Sequence, residues 1–355
     1  MISGPPFPRS VNDLTPSTLT AALDTQVASF SFERIGADRG MLGEIYRLVP
    51  VYESPGAGPA ALIAKFSVAR EEALAGALRA GFYERELRCY DELLAETDVN
   101  RPAFHGAWYD PDTAHFLLLQ ELIEADTSID QVVGLDAGLV ELVLQQVAKL
   151  HHRWWDDPKL AGLAWLPAVD GERRVTNLTS LAERGWQPMC ELLGDELTPA
   201  EQALGAEFPE HLHASLNQVA SFETTLVHSD LRTDNLLFAP DHSSVALIDW
   251  QGVSTGPPGF DIAYLLVHSM TVTERRRHEH RLLGFYRDEL ARLGTDLDAD
   301  TLAASYRASL LYGLVIACAM PLISDPSEPR VATLATTMAR RSLEALRDAD
   351  QLWVQ

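Results

Sequence analysis

The sequence predicts an α+β chain of two lobes, a small β-rich one followed by a larger helical one. Strand-like segments crowd the first third, where FSFERI, EIYRLVPVY and ALIAKFSV are separated by glycine- and proline-bearing turns. Past that region apolar residues recur at helical spacing. A length of 355 residues also exceeds one small module, so two lobes are the default. The boundary is expected between residues 1–123 and 124–355.

The first lobe begins with a proline-bearing tail, expected to be loosely ordered. A strand over Phe30–Ile35 leads into the loop GADRGMLG, a second strand EIYRLVPVY, the turn PGAGP and a third strand ALIAKFSV. From Arg70 the pattern becomes helical, with Leu74, Leu78, Phe82 and Tyr90 near one stripe and Gly81 as a candidate split. AFHGAWY and AHFLLLQEL flank the turn Asp110–Thr113 and end the lobe near Ile123.

In the second lobe an amphipathic helix covers Leu135–Trp155 and stops before Pro158. Further helices are expected over Leu178–Leu193, Glu201–Ala220, Glu274–Leu293, Leu302–Met320 and Val331–Leu346. Pro188 and Pro209 should break or kink the first two of these. One β signal interrupts the helices: NLLF, the turn APDHSS and VALIDW read as a hairpin. The apolar run Ala308–Ile323, interrupted by Pro321, falls short of the about 20 residues a bilayer needs and reads as a buried helix.

Composition excludes several classes. With 46% hydrophobic and 22% charged residues the chain is globular, not disordered. Its 28 Lys+Arg against 51 Asp+Glu leave a net charge of −23, which disfavours nucleic-acid and membrane-surface partners and leans toward a cationic small molecule. Cys89, Cys190 and Cys318 show no C-x-x-C pairing, so neither a zinc site nor a disulfide framework is indicated. With no leader-like apolar N-terminus, the expected compartment is cytoplasmic.

The hairpin is flanked by the most informative residues, VHSDLRTDNLLFAPDHSSVALIDW. His228, Asp230 and Asn235 form H-x-D-x-x-x-x-N, and Asp249 closes the second strand. Antiparallel pairing around the turn sets Leu236 across from Ile248, so Asn235 and Asp249 share the open end. An amide oxygen beside a carboxylate suits Mg²⁺, a hard ion that keeps waters and takes few protein ligands. Asp230, on the loop before, can accept a proton from a hydroxyl.

These residues resemble the catalytic segment of the bilobal protein-kinase-like fold, in its aminoglycoside phosphotransferase and choline-kinase-like branch. The resemblance implies that Asp230 is the catalytic base and that Asn235 and Asp249 bind magnesium, with IDWQ in place of D-F-G. It further implies that Asp261, in GFDIAYLL, braces the catalytic loop; with Asp230 supplying the base, His228 is read as bracing the loop and not as transferring protons. Lys65 sits in an otherwise apolar strand, where an unpaired charge is costly, and Glu86 on the next helix is its expected partner. Glu84 lies about 200° around that helix and cannot face the strand as well. In the family such a lysine holds the α/β-phosphates. Gly36, Arg39, Gly40 and Gly43 would cover the phosphates, and backbone groups of Gln120, Glu121 and Leu122 would read the adenine.

His151 to Trp155 reads HHRWW at a helix end, where neighbours point about 100° apart and cannot converge on a metal. Packing beneath the catalytic loop is preferred, and the tryptophans suit either core or acceptor pocket. The implied reaction is ATP- and Mg²⁺-dependent phosphorylation of a hydroxyl on a small molecule. A protein kinase fits poorly, because GVSTGPPGFDIAYLL follows Asp249 without an A-P-E element. A non-catalytic nucleotide-binding module and a metal hydrolase using His228 are the other readings.

Overall fold

The computed structural model describes residues 2–4, 6–35, 43–68, 71–126 and 128–349. Two units emerge, Met1–Ala125 with Ala246–Gly252, and Asp126–Val245 with Val253–Gln355. Residues 246–252 thus join the first unit, where a division at 123/124 had left them in the second. Asp249 and Gln251 explain this, since Lys65 and Glu86 are their partners.

The first unit is built on a six-stranded sheet ordered β1-β5-β6-β4-β3-β2. Its strands are β1 (Ile2–Ser3), β2 (Val27–Ile35), β3 (Gly43–Tyr52), β4 (Leu62–Ser67), β5 (Phe104–Tyr109) and β6 (Phe116–Glu121). β1 pairs parallel to β5, and the other pairings are antiparallel. The described residues of the N-terminal tail form regular structure, contrary to expectation. It carries β1 and the helix α1 (Pro16–Leu23), whose N-cap Thr15 accepts from the Thr18 amide. The cause is burial: Val11, Leu14 and Leu19 cover the sheet face formed by Leu48, Leu62, Ala64, Phe66, Leu117 and Leu119. Without them that apolar face would meet water.

α2 (Glu71–Ala80) and α3 (Phe82–Arg88) are separated at Gly81, whose φ of 70° is left-handed. α3 buries Tyr83, Glu86 and Leu87, the i, i+3, i+4 stripe of one face. Tyr83 stacks on Phe116 with ring centroids 4.3 Å apart. That contact seats α3 on the sheet.

The second unit contains α4 (Ala137–Arg153), α5 (Pro158–Ala161), α6 (Glu172–Leu193), α7 (Pro199–Val219), α8 (Pro258–Ser269), α9 (Val272–Leu293), α10 (Ala299–Ile323) and α11 (Pro329–Asp348). Short strands β7 (Thr225–Val227) and β10 (Ser254–Gly256) pair antiparallel. The expected hairpin takes the form of β8 (Leu236–Phe238) and β9 (Val245–Leu247), its turn closed by Ala239 N donating to Ser244 O at 3.0 Å. Pro188 and Pro209 break nothing: α6 and α7 run through them, and α10 runs through Pro321. A proline removes one backbone bond, but Trp186, Met189 and Leu193 on α6, and Phe208 and Leu212 on α7, bury both flanking turns.

α10 is long and apolar enough to cross a membrane, yet it lies buried against α6, α7, α8 and α11. All twelve residues of α8 are buried, and its Gly259 lets α10 approach closely: a Cβ there would fall 2.4 Å from Tyr306 N. α8 ends near a buried imidazole. His268 Nε2 lies 3.1 Å from Ser342 Oγ, and Arg341 donates to the His268 carbonyl. Burial, and then the charges of Arg341 and Arg232, pull the His268 pKa from 6.5 to about 3. The unfolded chain takes up a proton below about pH 6.5 that the folded one refuses, so stability falls with pH across that window. Urea unfolding between pH 7 and 4 should show this loss, and His268→Gln should lose less over the same range than the parent. Equal acid sensitivity in the two proteins would remove His268 as the cause.

Candidate functional site

Alternation along β4 sends Leu62, Ala64 and Phe66 into the core beneath α1 and leaves Lys65 on the opposite face, toward α3. Lys65 is centred in the sheet, opposite Ile45 on β3 and Leu118 on β6. Its Nζ lies 2.9 and 2.8 Å from the two Glu86 oxygens and 3.2 Å from Asp249 Oδ1. Lys65 is 6% exposed and Glu86 1%. Burial lowers the Lys65 pKa, but the Asp249 and Glu86 carboxylates outweigh burial and raise it above its ordinary value. The lysine therefore stays charged at neutral pH. Glu84 points elsewhere and pairs with Arg88 at 2.8 Å, as the helical angle requires.

Asp249 holds a left-handed backbone, φ 64°, and keeps a third of its side chain open beside Lys65. Gln251 Nε2 donates to Glu86 Oε2 at 3.4 Å, and Arg85 in turn donates to the Gln251 carbonyl at 2.9 Å. Sequence reading missed both supports. The glutamine of IDWQ was the available signal, two residues past the aspartate.

Gly43 opens β3 beside the lysine; a Cβ there would lie 3.0 Å from Phe66 O and 3.3 Å from Lys65 Cε. Gly36, Arg39 and Gly40 lie outside the described residues. Gln120 and Glu121 end β6, and Leu122 follows. Glu121 Oε2 accepts from the Ala103 amide, which leaves that side chain engaged in its own unit.

In the second unit β7 delivers the loop 228–235. Asp261, fully buried on α8, accepts from His228 N and Ser229 N, both at 2.7 Å. Beneath it His151 sits with Nε2 3.3 Å from Asp261 Oδ2 and Nδ1 2.8 Å from the Tyr286 hydroxyl. This pin holds Ser229 at φ 66°, a left-handed conformation that a serine adopts only when its surroundings impose it. Asp230 N donates to His228 Nδ1 at 3.3 Å, so the histidine braces the loop. His152 turns away to Thr295, and Trp154 is wholly buried in packing under the Arg153 guanidinium.

Asp230 is oriented from two sides. Asn235 Nδ2 donates to its carbonyl at 2.8 Å and its Oδ2 at 2.9 Å, and Arg232 Nε lies 3.4 Å from Oδ1. A third of the Asp230 side chain is exposed. The two bonds to Asp230 engage the Asn235 nitrogen. An amide oxygen is a hard donor of the type Mg²⁺ takes, and so, in the first unit, is the Asp249 carboxylate. Among the described residues no cluster of three or more His, Cys, Asp or Glu offers a complete metal cage.

Solved structures of low sequence identity share this fold over most of their length. A putative aminoglycoside phosphotransferase from Ralstonia eutropha aligns with TM-score 0.58 and 17% identity, covering 95% of this chain and 97% of that one. The aminoglycoside phosphotransferase APH(2")-IIIa, in complex with GDP and kanamycin, aligns with TM-score 0.52 and 16% identity over 94% of this chain and 97% of the other. An ethanolamine kinase from Plasmodium vivax gives 0.51 and 12%, over 96% and 85%. The chain therefore has the protein-kinase-like α+β fold of the aminoglycoside phosphotransferases and their choline-kinase-like kin.

Sequence relatives match a shorter stretch. Mouse acyl-CoA dehydrogenase family member 10 is 32% identical over 101 residues, 26% of this chain and 9% of its own length. An uncharacterized kinase-like protein of Caenorhabditis elegans is 31% identical over 103 residues, 26% of this chain and 27% of its own. The family model DUF1679, described as uncharacterized oxidoreductase dhs-27, matches residues 200–343. That segment holds Asp230, Asn235, Asp249 and Asp261.

Proposed function

We propose that this protein is a small-molecule kinase that transfers the γ-phosphoryl group of ATP, with Mg²⁺, to a hydroxyl. The observation that carries the reading is Asp230: an open carboxylate on a strained, pinned loop, aimed by the Asn235 amide. Such a carboxylate is built to accept one proton from one direction. Lys65 would neutralise phosphate oxygens, Glu86 fixes the lysine, and Asn235 Oδ1 and the Asp249 carboxylate would hold magnesium. Bound Mg²⁺ supplies charge neutralisation on the transferring phosphate. The glycine-bearing loop, Arg39 included, and the backbone of residues 120–122 would hold the nucleotide. Solved proteins of this fold carry GDP with kanamycin, or ADP with spectinomycin, which supports a nucleotide and a hydroxylated acceptor here. A cytoplasmic location fits a reaction that consumes ATP.

The test is titration of ATP with and without Mg²⁺, followed by ADP release in the presence of pooled alcohols. Magnesium-dependent ATP binding and acceptor-stimulated ADP release are the expected results. Failure to bind ATP or GTP with magnesium would defeat the reading.

A further inference from the structure

One cation beside the loop of Asp230 has no part in the chemistry above. Arg174, in the first turn of α6, donates through Nη1 to Ser254 Oγ at 3.1 Å and through Nη2 to the Tyr312 hydroxyl at 3.2 Å. Its guanidinium lies over the rings of Phe260 and Tyr312, 5.6 and 5.4 Å from their centroids. Both hydrogen-bond partners lead directly to Ser229, the neighbour of Asp230: Ser254 Oγ is 2.5 Å from Ser229 Oγ, and Tyr312 donates to Ser229 O at 3.1 Å. The preceding chain is locked in place too, because Val169 N donates to Thr255 O and Thr255 N to Pro167 O.

What this environment lacks is a counter-charge. Both hydrogen-bond acceptors are neutral hydroxyls, and among the described residues Arg174 makes no ion pair. In a chain with 51 acidic residues, arginines elsewhere find carboxylates readily: Arg232 pairs with Asp234, Arg275 with Glu279 and Arg330 with Asp130. Arg174 is half-buried, fixed by two bonds and two rings, and keeps further N–H donors in a planar fork. A guanidinium held rigid but not neutralised is a receptor for an oxyanion, since carboxylate and phosphate accept its fork in pairs.

We propose that Arg174 receives an anionic group of the acceptor, so that the molecule phosphorylated is a hydroxylated acid, not the cationic alcohol that the net charge suggests. The inference rests on the phosphotransferase reading and names its substrate class. Net charge sums the whole surface, whereas acceptor choice is set by the groups within reach of the reacting hydroxyl.

Two anions fit the fork, a carboxylate and a phosphate monoester, and separate arms distinguish them. ADP release would be followed with hydroxy acids such as glycerate and 3-hydroxybutyrate, with sugar phosphates, with neutral sugars and glycerol, and with ethanolamine and kanamycin. Stimulation by one anionic arm, and loss of it when the acid is replaced by its amide, are the expected results on the intact protein. Arg174→Gln should then raise the KM of that acceptor about 10- to 100-fold, the worth of a charge-assisted bond. Arg174→Lys should recover part of this, and the KM for ATP should stay within about twofold. Turnover of neutral or cationic acceptors alone overturns the assignment and leaves the kinase standing. So does an unchanged acceptor KM in a folded Arg174→Gln. Silence of every arm with ATP bound also counts against Arg174, whereas loss of nucleotide binding as well removes the proposed function itself.

Discussion

Asp230→Asn should slow phosphoryl transfer by about 100- to 10,000-fold while leaving ATP affinity and the melting temperature close to those of the parent. The range is that of losing a positioned general base. The amide keeps the shape of the carboxylate but cannot take the proton of the attacking hydroxyl. The start of the loop should survive the change, because Asp261 holds the His228 and Ser229 amides and the Asn235 amide still donates to the Asp230 carbonyl. A single-turnover experiment at saturating ATP reads the effect directly. A rate within about tenfold of the parent would mean that Asp230 is not the base.

The second large effect concerns stability. Lys65→Met would leave the Glu86 carboxylate, 1% exposed, and Asp249 Oδ1 without the ammonium between them. Removing one member of a buried ion pair costs about 3–5 kcal/mol, because the charge left behind stays desolvated. The urea midpoint of Lys65→Met should fall accordingly, and Lys65→Met with Glu86→Gln should recover part of the loss. Alkali gives an independent reading of the same contact. The folded pKa of Lys65 is raised, so its stabilisation is complete below the ordinary lysine value of about 10.4 and is lost as pH climbs beyond it. The alkaline decline due to this group should be missing in Lys65→Met. A variant as stable as the parent would show that the buried cluster contributes little.

Much of this site was legible because few letters constrain it heavily. A lysine in an apolar strand demands a partner, and because Glu84 and Glu86 lie about 200° apart on the helix only one of them can supply it. Asp261 was readable only through resemblance: one aspartate in an apolar helix does not announce which amides it binds. The ordered N-terminus was harder still. Its apolar residues, Val11, Leu14 and Leu19, are few and irregularly spaced, and the face of β4 and β6 that requires covering becomes visible only once the sheet is assembled. Pro188 and Pro209 misled because a local rule was applied where burial on both sides prevailed. Arg174 lies in a polar stretch, ERRVTN, without any motif, and its meaning comes wholly from Ser254 and Tyr312, residues 80 and 138 positions away.

The same distinction separates the two charge arguments. A net charge of −23 describes solubility and long-range steering, but it averages over groups that never meet the acceptor. The role proposed for Arg174 rests instead on a guanidinium fixed two hydrogen bonds from Ser229.

The most direct test of the central claim is detection of the phosphorylated acceptor itself. The protein would be incubated with ATP, Mg²⁺ and each hydroxylated compound, and the mixture analysed by mass spectrometry beside an Asp230→Asn control. A phosphate monoester that forms only with the intact aspartate, and only with magnesium present, is the predicted result. ATP consumption that yields inorganic phosphate with every acceptor unmodified, equally in both proteins, would contradict it.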